Sequence, residues 1–252
     1  MSEIREPIKR GFFKYDYDSS EIKNIRWQND ENGFIDIFEE KRTNYPYVVS
    51  GDTAGEGSDY FTAQVLNNIT GKQVAKMRKQ FDADEYTRQM YCLGKYYNDA
   101  LVGIETNFDT YPIKELERLG YDNQYIREKE DTYTGKYKKA FGFKTDKITR
   151  PLILSMLQSI INDHTELIND KDTLEEMLVF VRNEKGRPEA QDGCHDDLVM
   201  ALAIAYYIRP QQSFKLIENK DINEIAEKLK SEFKFNTNKT KKGDFGSKIS
   251  II

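Results

Sequence analysis

The chain predicts an α/β fold: a mixed sheet made of a three-strand antiparallel meander plus parallel strands, flanked by helices. Three observations carry this. Apolar β-branched runs alternate with helical periods through the middle of the chain. The first three of those runs are joined by links too short to hold a helix, which makes them antiparallel neighbours. One late segment, "LVMALAIAYYI", is apolar almost throughout, as a helix buried against a sheet would be.

The elements follow in order. "YPYVVSGD" (45–52) is a buried strand by its β-branched run. "DYFTAQVLNN" alternates and is the second strand, "NITG" a turn, and "KQVAKMRKQF" the third strand. "DADEYTRQMYCLGKYYN" has acidic caps and a helical period. "ALVGIET" is a fourth buried strand. "TYPIKELERLG" is a helix with Pro112 early and Gly120 at its end. "QYIRE" is a short fifth strand. "TRPLILSMLQSIINDH" is an amphipathic helix, "KDTLEEMLVFVRNEKG" is partly helical, and "CHDDLVMALAIAYYIRP" is the buried helix closed by Pro210. The order is β-β-β-α-β-α-β-α and then the final helix, as found in ribonuclease-H-like folds.

The 252 residues suffice for one α/β domain at 46–210. Residues 1–45 are polar and weakly periodic, an ordered leader or strap. Residues 211–252 are a charged extension in which "DINEIAEKLKSEF" predicts a helix and the rest a mobile tail. No run approaches the length of a membrane span, and the start lacks the layout of a signal peptide. Cys92 and Cys194 lie too far apart in sequence to suggest a disulfide framework or a zinc site, and Cys194 is expected to pack. The net charge of −5 argues against a nucleic-acid binder held by bulk charge.

Three acids stand at chemically useful places. Asp52 ends the first strand, Glu105 ends the fourth, and Asp196 and Asp197 open the last helix. In a ribonuclease-H-like sheet the first and fourth strands are central neighbours, so their carboxyl ends bring Asp52 and Glu105 side by side. Gathered carboxylates repel one another, and Mg²⁺ or Mn²⁺, which prefer oxygen ligands, relieve the repulsion. Two such ions, about 3.5–4 Å apart, can activate a water and stabilise the leaving oxygen of a phosphodiester. Taken singly, each acid has another account. Asp52 can serve its glycine turn at Gly55 and Gly57, Glu105 can cap a helix or face water, and "HDD" is a good N-cap cluster. His195 is a ligand or proton carrier, or lies outside the ligand set, or caps the helix. Asp59 braces the loop after Asp52.

The segment 132–150 is locally basic. It holds Lys136, Lys138, Lys139, Lys144, Lys147 and Arg150 against the single acid Asp146, with aromatic residues interleaved. "DTYTGKYKK" suggests a hairpin through Gly135. A basic hairpin beside an acidic pocket can guide a phosphate backbone without reading its bases. Charge runs are also commonly no more than solvated faces.

Four motifs, "GDTAGEGSDY", "IETNFDTYP", "FGFKTDKITRP" and "HDDLVMALAIAY", together resemble the C-terminal nuclease domain of the terminase large subunit of tailed phages. The resemblance spans roughly 45–210. It implies a two-metal endonuclease that cuts concatemeric double-stranded viral DNA during genome packaging, with little sequence preference. It assigns the metal ligands to Asp52, Glu105 and one or both of Asp196 and Asp197, with Asp197 favoured. It implies the packaging ATPase domain, the small terminase subunit and the portal as partners, no membrane, and the cytoplasm of an infected bacterial host as the setting. No G-x-x-x-x-G-K-[ST] motif occurs, so the ATPase is expected to be missing and 1–45 to be the remnant of the link to it. Two rivals stand beside this expectation: a transposase or integrase of the same fold, and a non-catalytic docking module of a packaging motor.

Overall fold

A computed structural model describes residues 4–53, 60–130, 137–183, 186 and 188–212. The chain divides into two units, Met1–Lys215 and Leu216–Ile252, and all described residues belong to the first. The predicted tail helix lies outside them.

The elements run β1 (Lys9–Tyr17), β2 (Ile22–Asn29), β3 (Ile35–Ile37), β4 (Tyr47–Asp52), β5 (Phe61–Asn67), β6 (Gln73–Lys79), α1 (Ala83–Tyr96), β7 (Leu101–Ile104), α2 (Tyr111–Arg118), β8 (Ile126–Glu130), β9 (Tyr137–Phe141), α3 (Thr149–His164), α4 (Lys171–Leu178), β10 (Phe180–Arg182), β11 (Pro188–Ala190) and α5 (Asp197–Ile208). The main sheet has the order β2-β1-β3-β6-β5-β4-β7. β4, β5 and β6 form the antiparallel meander, and β7 lies parallel to β4 after the α1 crossover. This is the predicted mixed sheet, flanked by helices. No helix among the described residues is long and apolar enough to cross a membrane.

Strand periodicity divides the core. Successive side chains leave a strand on opposite faces. Val49 of β4 and Val102 and Ile104 of β7 pack with Tyr86, Met90 and Leu116 of α1 and α2. Val48 and Leu101 pack on the other face, with Ile153, Leu157, Val199, Leu202 and Ile204 of α3 and α5. The α5 face of β4 is therefore Val48, Ser50, Asp52. On β7 it is Leu101 and Gly103, where a Cβ would stand 2.5 Å from Ile208 Cδ1, and then Glu105. The register pairs Ser50 with Gly103 and Gly51 with Ile104. The two acids thus follow one another across the parallel pair, on the side where α5 packs.

α5 is fastened to that face by polar side chains. Ser50 Oγ donates to the Ala201 carbonyl at 2.6 Å, Thr62 Oγ1 to the Asp197 carbonyl at 3.0 Å, and Gln64 Nε2 to the Leu198 carbonyl at 3.3 Å. On the opposite face Gly51 has no room for a side chain. A Cβ there would stand 2.0 Å from Tyr86 Oη and 3.0 Å from Met90 Cε. Gly51→Ala is therefore expected to cost about 1–3 kcal/mol by overpacking. An unchanged melting temperature would show that Tyr86 yields freely.

The polar leader holds three strands that its weak periodicity did not show. β1 pairs with β2 and β3, and β3 pairs with β6. β2 is a sheet edge with many exposed side chains, so little of its sequence needs to be apolar. A buried ion cluster ties the leader to the sheet. Lys76 of β6 meets Asp36 of β3 at 3.4 Å, Asp170 at 3.4 Å and also Asp172, the last two at the start of α4. Arg10 adds two bonds to Asp36, at 2.5 and 3.1 Å.

The predicted fifth strand is corrected. Only Gln124 bridges β7, next to Val102. The chain then leaves the sheet, and β8 pairs with β9 as a separate two-stranded hairpin. Its sequence explains this, because "REKE" from Arg127 to Glu130 has no apolar face to bury. Cys194, expected to pack, is exposed.

Candidate metal centre

Asp52 and Glu105 are buried, at 8% and 5% exposure, although both are carboxylic acids. Strand parity aims them to one side, and the Glu105 amide donates to the Gly51 carbonyl at 2.8 Å. Two carboxylates placed side by side in this way disfavour each other's charge. Burial, and then the neighbouring Glu105 charge, hold the Asp52 carboxyl well above its ordinary value, with Asp197 and Asp196 adding to the rise. The same surroundings push the Tyr86 phenol upward, through burial first and then the charges of Asp52 and Glu105. Acids from the neighbouring strand and from the start of α5 thus act on Asp52.

Asp197 is held from several sides. Its Oδ2 accepts from the Tyr60 amide at 3.4 Å and lies 3.6 Å from His195 Nδ1. The Tyr60 ring meets the His195 ring edge-on at 5.2 Å, and the Arg78 guanidinium lies 4.2 Å from the Tyr60 centroid. His195 therefore sits against Asp197. Asp196 faces a cation: Arg150 Nη2 donates to its Oδ2 at 2.8 Å.

Neither acid of "HDD" caps α5. The cap comes from Glu176 of α4, whose Oε2 accepts from the Leu198 and Val199 amides at 2.8 and 3.3 Å. No local pattern in "TLEEML" marks Glu176 for this role. Burial raises its carboxyl to about 7. A raised value means that its contribution to stability is full below the ordinary carboxylate range and is lost as pH rises through about 7. Glu176→Gln keeps an acceptor for the two amides and has no proton to lose. Its melting temperature is expected to hold between about pH 5 and 8, where the parent's declines. Parallel profiles for the two proteins would refute the assignment.

Among the described residues, no three His, Cys, Asp or Glu side chains converge as a ready-made metal cage. The chemistry of the set nonetheless fits a hard divalent cation. The candidate donors are all carboxylate oxygens, and the burial and repulsion that raise Asp52 are what a cation would relieve. Thr53 Oγ1, next along the chain, is buried without a hydrogen-bond partner among the described residues. Asp59, Gly55 and Gly57 lie outside the described residues.

The basic segment borders this site. Phe143 forms a parallel bridge with Glu105, and its carbonyl accepts from the Thr106 amide at 2.8 Å. Lys144 comes next, then Lys147, both exposed. Lys138 and Lys139 lie on β9, where Lys139 stands across from Glu128. Lys136 and Gly135, where the sequence suggests a hairpin turn, lie outside the described residues. Arg150 begins α3 and turns inward to Asp196.

No family model matches the chain. Solved structures do. The large terminase nuclease from thermophilic phage G20c is 20% identical, covers 79% of this chain and 93% of its own, and superposes with a TM-score of 0.53. The same nuclease with bound magnesium matches at 20% identity, 79% and 92% coverage and 0.53. The large terminase nuclease domain of Thermus phage P74-26 matches at 23%, 70% and 86%, and 0.51. This chain has the fold of the nuclease domains of phage large terminases, a ribonuclease-H-like mixed sheet with acids at the carboxyl ends of the parallel pair β4–β7, of which β7 is the sheet's edge rather than the central strand expected.

Proposed function

We propose that the protein is a metal-dependent endonuclease that cuts double-stranded viral DNA concatemers during genome packaging, with little sequence preference. The observation that carries this is the buried Asp52–Glu105 carboxyl pair at the ends of adjacent parallel strands, with Asp197 and Asp196 acting on it. The likeness to phage nuclease domains, one of them holding magnesium, supports it.

Mg²⁺ or Mn²⁺, two ions held by Asp52, Glu105 and Asp197 with Asp196 close by, would supply an activated water and charge neutralisation at the departing 3′ oxygen. The chain's own residues prepare that site. Ser50, Thr62 and Gln64 set the height of α5 over the sheet and so the position of its two aspartates. His195 and the Tyr60 amide orient Asp197. Lys144 and Lys147, with Lys138 and Lys139 of β9, neutralise backbone phosphates on the side of Glu105. In this reading the partners are DNA, a packaging ATPase, the small terminase subunit and the portal, in the cytoplasm of an infected bacterium.

Supercoiled plasmid is expected to be nicked in Mn²⁺ or Mg²⁺ and left intact in EDTA. DNA affinity should fall with salt, by a logarithmic slope of about −0.9 for each phosphate contact. Lys144→Glu with Lys147→Glu should weaken DNA binding at least about tenfold and leave Mn²⁺ binding by calorimetry unchanged. Nicking that persists in EDTA, or a parent that neither binds Mn²⁺ nor cuts, would overturn the proposal.

A further inference from the structure

We propose that Arg150 is a positioning residue with two exclusive partners: Asp196 in the free protein and a DNA phosphate in the complex. The inference rests on the nuclease reading above and adds to it an order of events, in which DNA frees the fourth acid.

The placement of Arg150 is unusual. It is the second residue of α3, whose first turn carries no acid. A cation there opposes the helix dipole, which favours negative charge at an N-terminus. What offsets this is the 2.8 Å bond to Asp196, across 46 residues of sequence. The pair is partly buried, with side chains 17% and 26% exposed, so solvent screens it less than a surface pair.

Its hold is nevertheless incomplete. Guanidinium and carboxylate pair best through two parallel bonds. Here Nη2 serves both Asp196 and the Pro188 carbonyl, the latter at 3.3 Å, while Nε is buried without a partner among the described residues. An unmatched buried donor is a cost that another arrangement of the guanidinium relieves. A phosphate offers two oxygens in the right geometry for the fork.

The surroundings supply the competitor. Lys144 and Lys147 precede Arg150 on the same basic segment, beside the Glu105 bridge. A backbone that follows the lysines arrives at Arg150. While Arg150 holds Asp196 Oδ2, the positive charge beside that acid is the protein's own, and the described acids do not converge into a cage. When a phosphate takes the guanidinium, Asp196 turns to the acid pair with its charge unspent.

Calorimetry of Mn²⁺ binding to the full chain tests this, with and without a short duplex carrying non-cleavable phosphorothioate linkages. The parent is expected to gain Mn²⁺ affinity when the duplex is added. Arg150→Gln should bind Mn²⁺ about tenfold more tightly than the parent without DNA, the factor that ~1.4 kcal/mol of lost competition represents. It should gain nothing further from the duplex. Arg150→Lys keeps the charge and loses the fork, so its affinity should lie between the two, with a duplex-dependent gain retained. It carries the test if the glutamine variant does not fold. Affinity in Arg150→Gln no higher than the parent's, or a lysine variant without the duplex gain, overturns the proposal. If the parent itself binds no Mn²⁺ and nicks no plasmid, the nuclease reading falls as well. If the parent binds and nicks while either overturning result appears, the role of Arg150 alone is lost.

Discussion

Replacing Asp52 with Asn is expected to abolish plasmid nicking and to stabilise the metal-free protein. The first effect should be about 10³-fold, the scale on which removing one group from a preorganised charge-stabilising site acts. Asn keeps the shape of the side chain and removes a charge that no other residue on β4 can supply. The second effect follows from burial. Asp52 is almost fully enclosed beside Glu105, and both circumstances disfavour its ionised form. Its carboxyl therefore titrates well above the ordinary 3.8. The stability linked to it is full below that ordinary value and is lost as pH rises through the raised one. Asn removes this loss, so Asp52→Asn in EDTA should melt higher than the parent near neutral pH. Added Mn²⁺ should raise the melting temperature of the parent, since a ligand that binds only the folded state stabilises it. It should raise that of the variant far less. A variant that nicks as fast as the parent, or that melts lower in EDTA, would sink the assignment of Asp52.

Replacing Lys76 with Met is expected to lower stability by about 3–5 kcal/mol, the cost of breaking a buried ion cluster from one side. Lys76 is 5% exposed at its side chain and faces Asp36, Asp170 and Asp172. Burial lowers its pKa, but the three carboxylates outweigh burial and the net shift is upward. Met has a similar length and no charge. It would leave Asp36, paired then only with Arg10, and the buried Asp170 facing an apolar side chain. Urea unfolding should show an earlier midpoint at an unchanged slope. An unchanged midpoint would mean that solvent or Arg10 compensates the acids. The effect reaches the site, because α4 starts at this cluster and carries Glu176, which holds the first amides of α5. Loss of Lys76 should therefore weaken Mn²⁺ binding without touching a ligand.

Much of the frame was legible in the sequence. The meander of β4, β5 and β6, the α1 crossover and the parallel β7 all came from local periodicity, because each buries a face that its own residue order defines. Asp82 caps α1 by accepting from the Glu85 amide at 2.7 Å, as the acids of "DADE" suggested. That "QYIRE" is extended was legible too, although its pairing with β9 outside the sheet was not. Strand pattern shows that a segment is extended, and not which edge it joins. The leader escaped for the opposite reason. β1 and β2 expose much of their surface, so their sequences carry little apolar alternation, and the Lys76 cluster that anchors β3 is made of charges.

The sequence by itself determined which faces are buried, and with them the positions of Asp52 and Glu105. Val48, Ser50 and Asp52 share a face because strand side chains alternate, and Leu101, Gly103 and Glu105 share one for the same reason. Asp196 and Asp197 were placed at a helix start by the apolar run that follows them. Tertiary structure decided what those acids meet. It brought Glu176 to the α5 amides, so "HDD" was freed from capping, and it gave Arg150 to Asp196 and Tyr60 with His195 to Asp197. The contacts made by Glu176, Arg150 and Tyr60 span 22 to 137 residues of chain, and no local period encodes them. They depend on how far α3, α4 and α5 sit above the sheet, which is set by packing volumes and by Ser50, Thr62 and Gln64 reaching the α5 backbone.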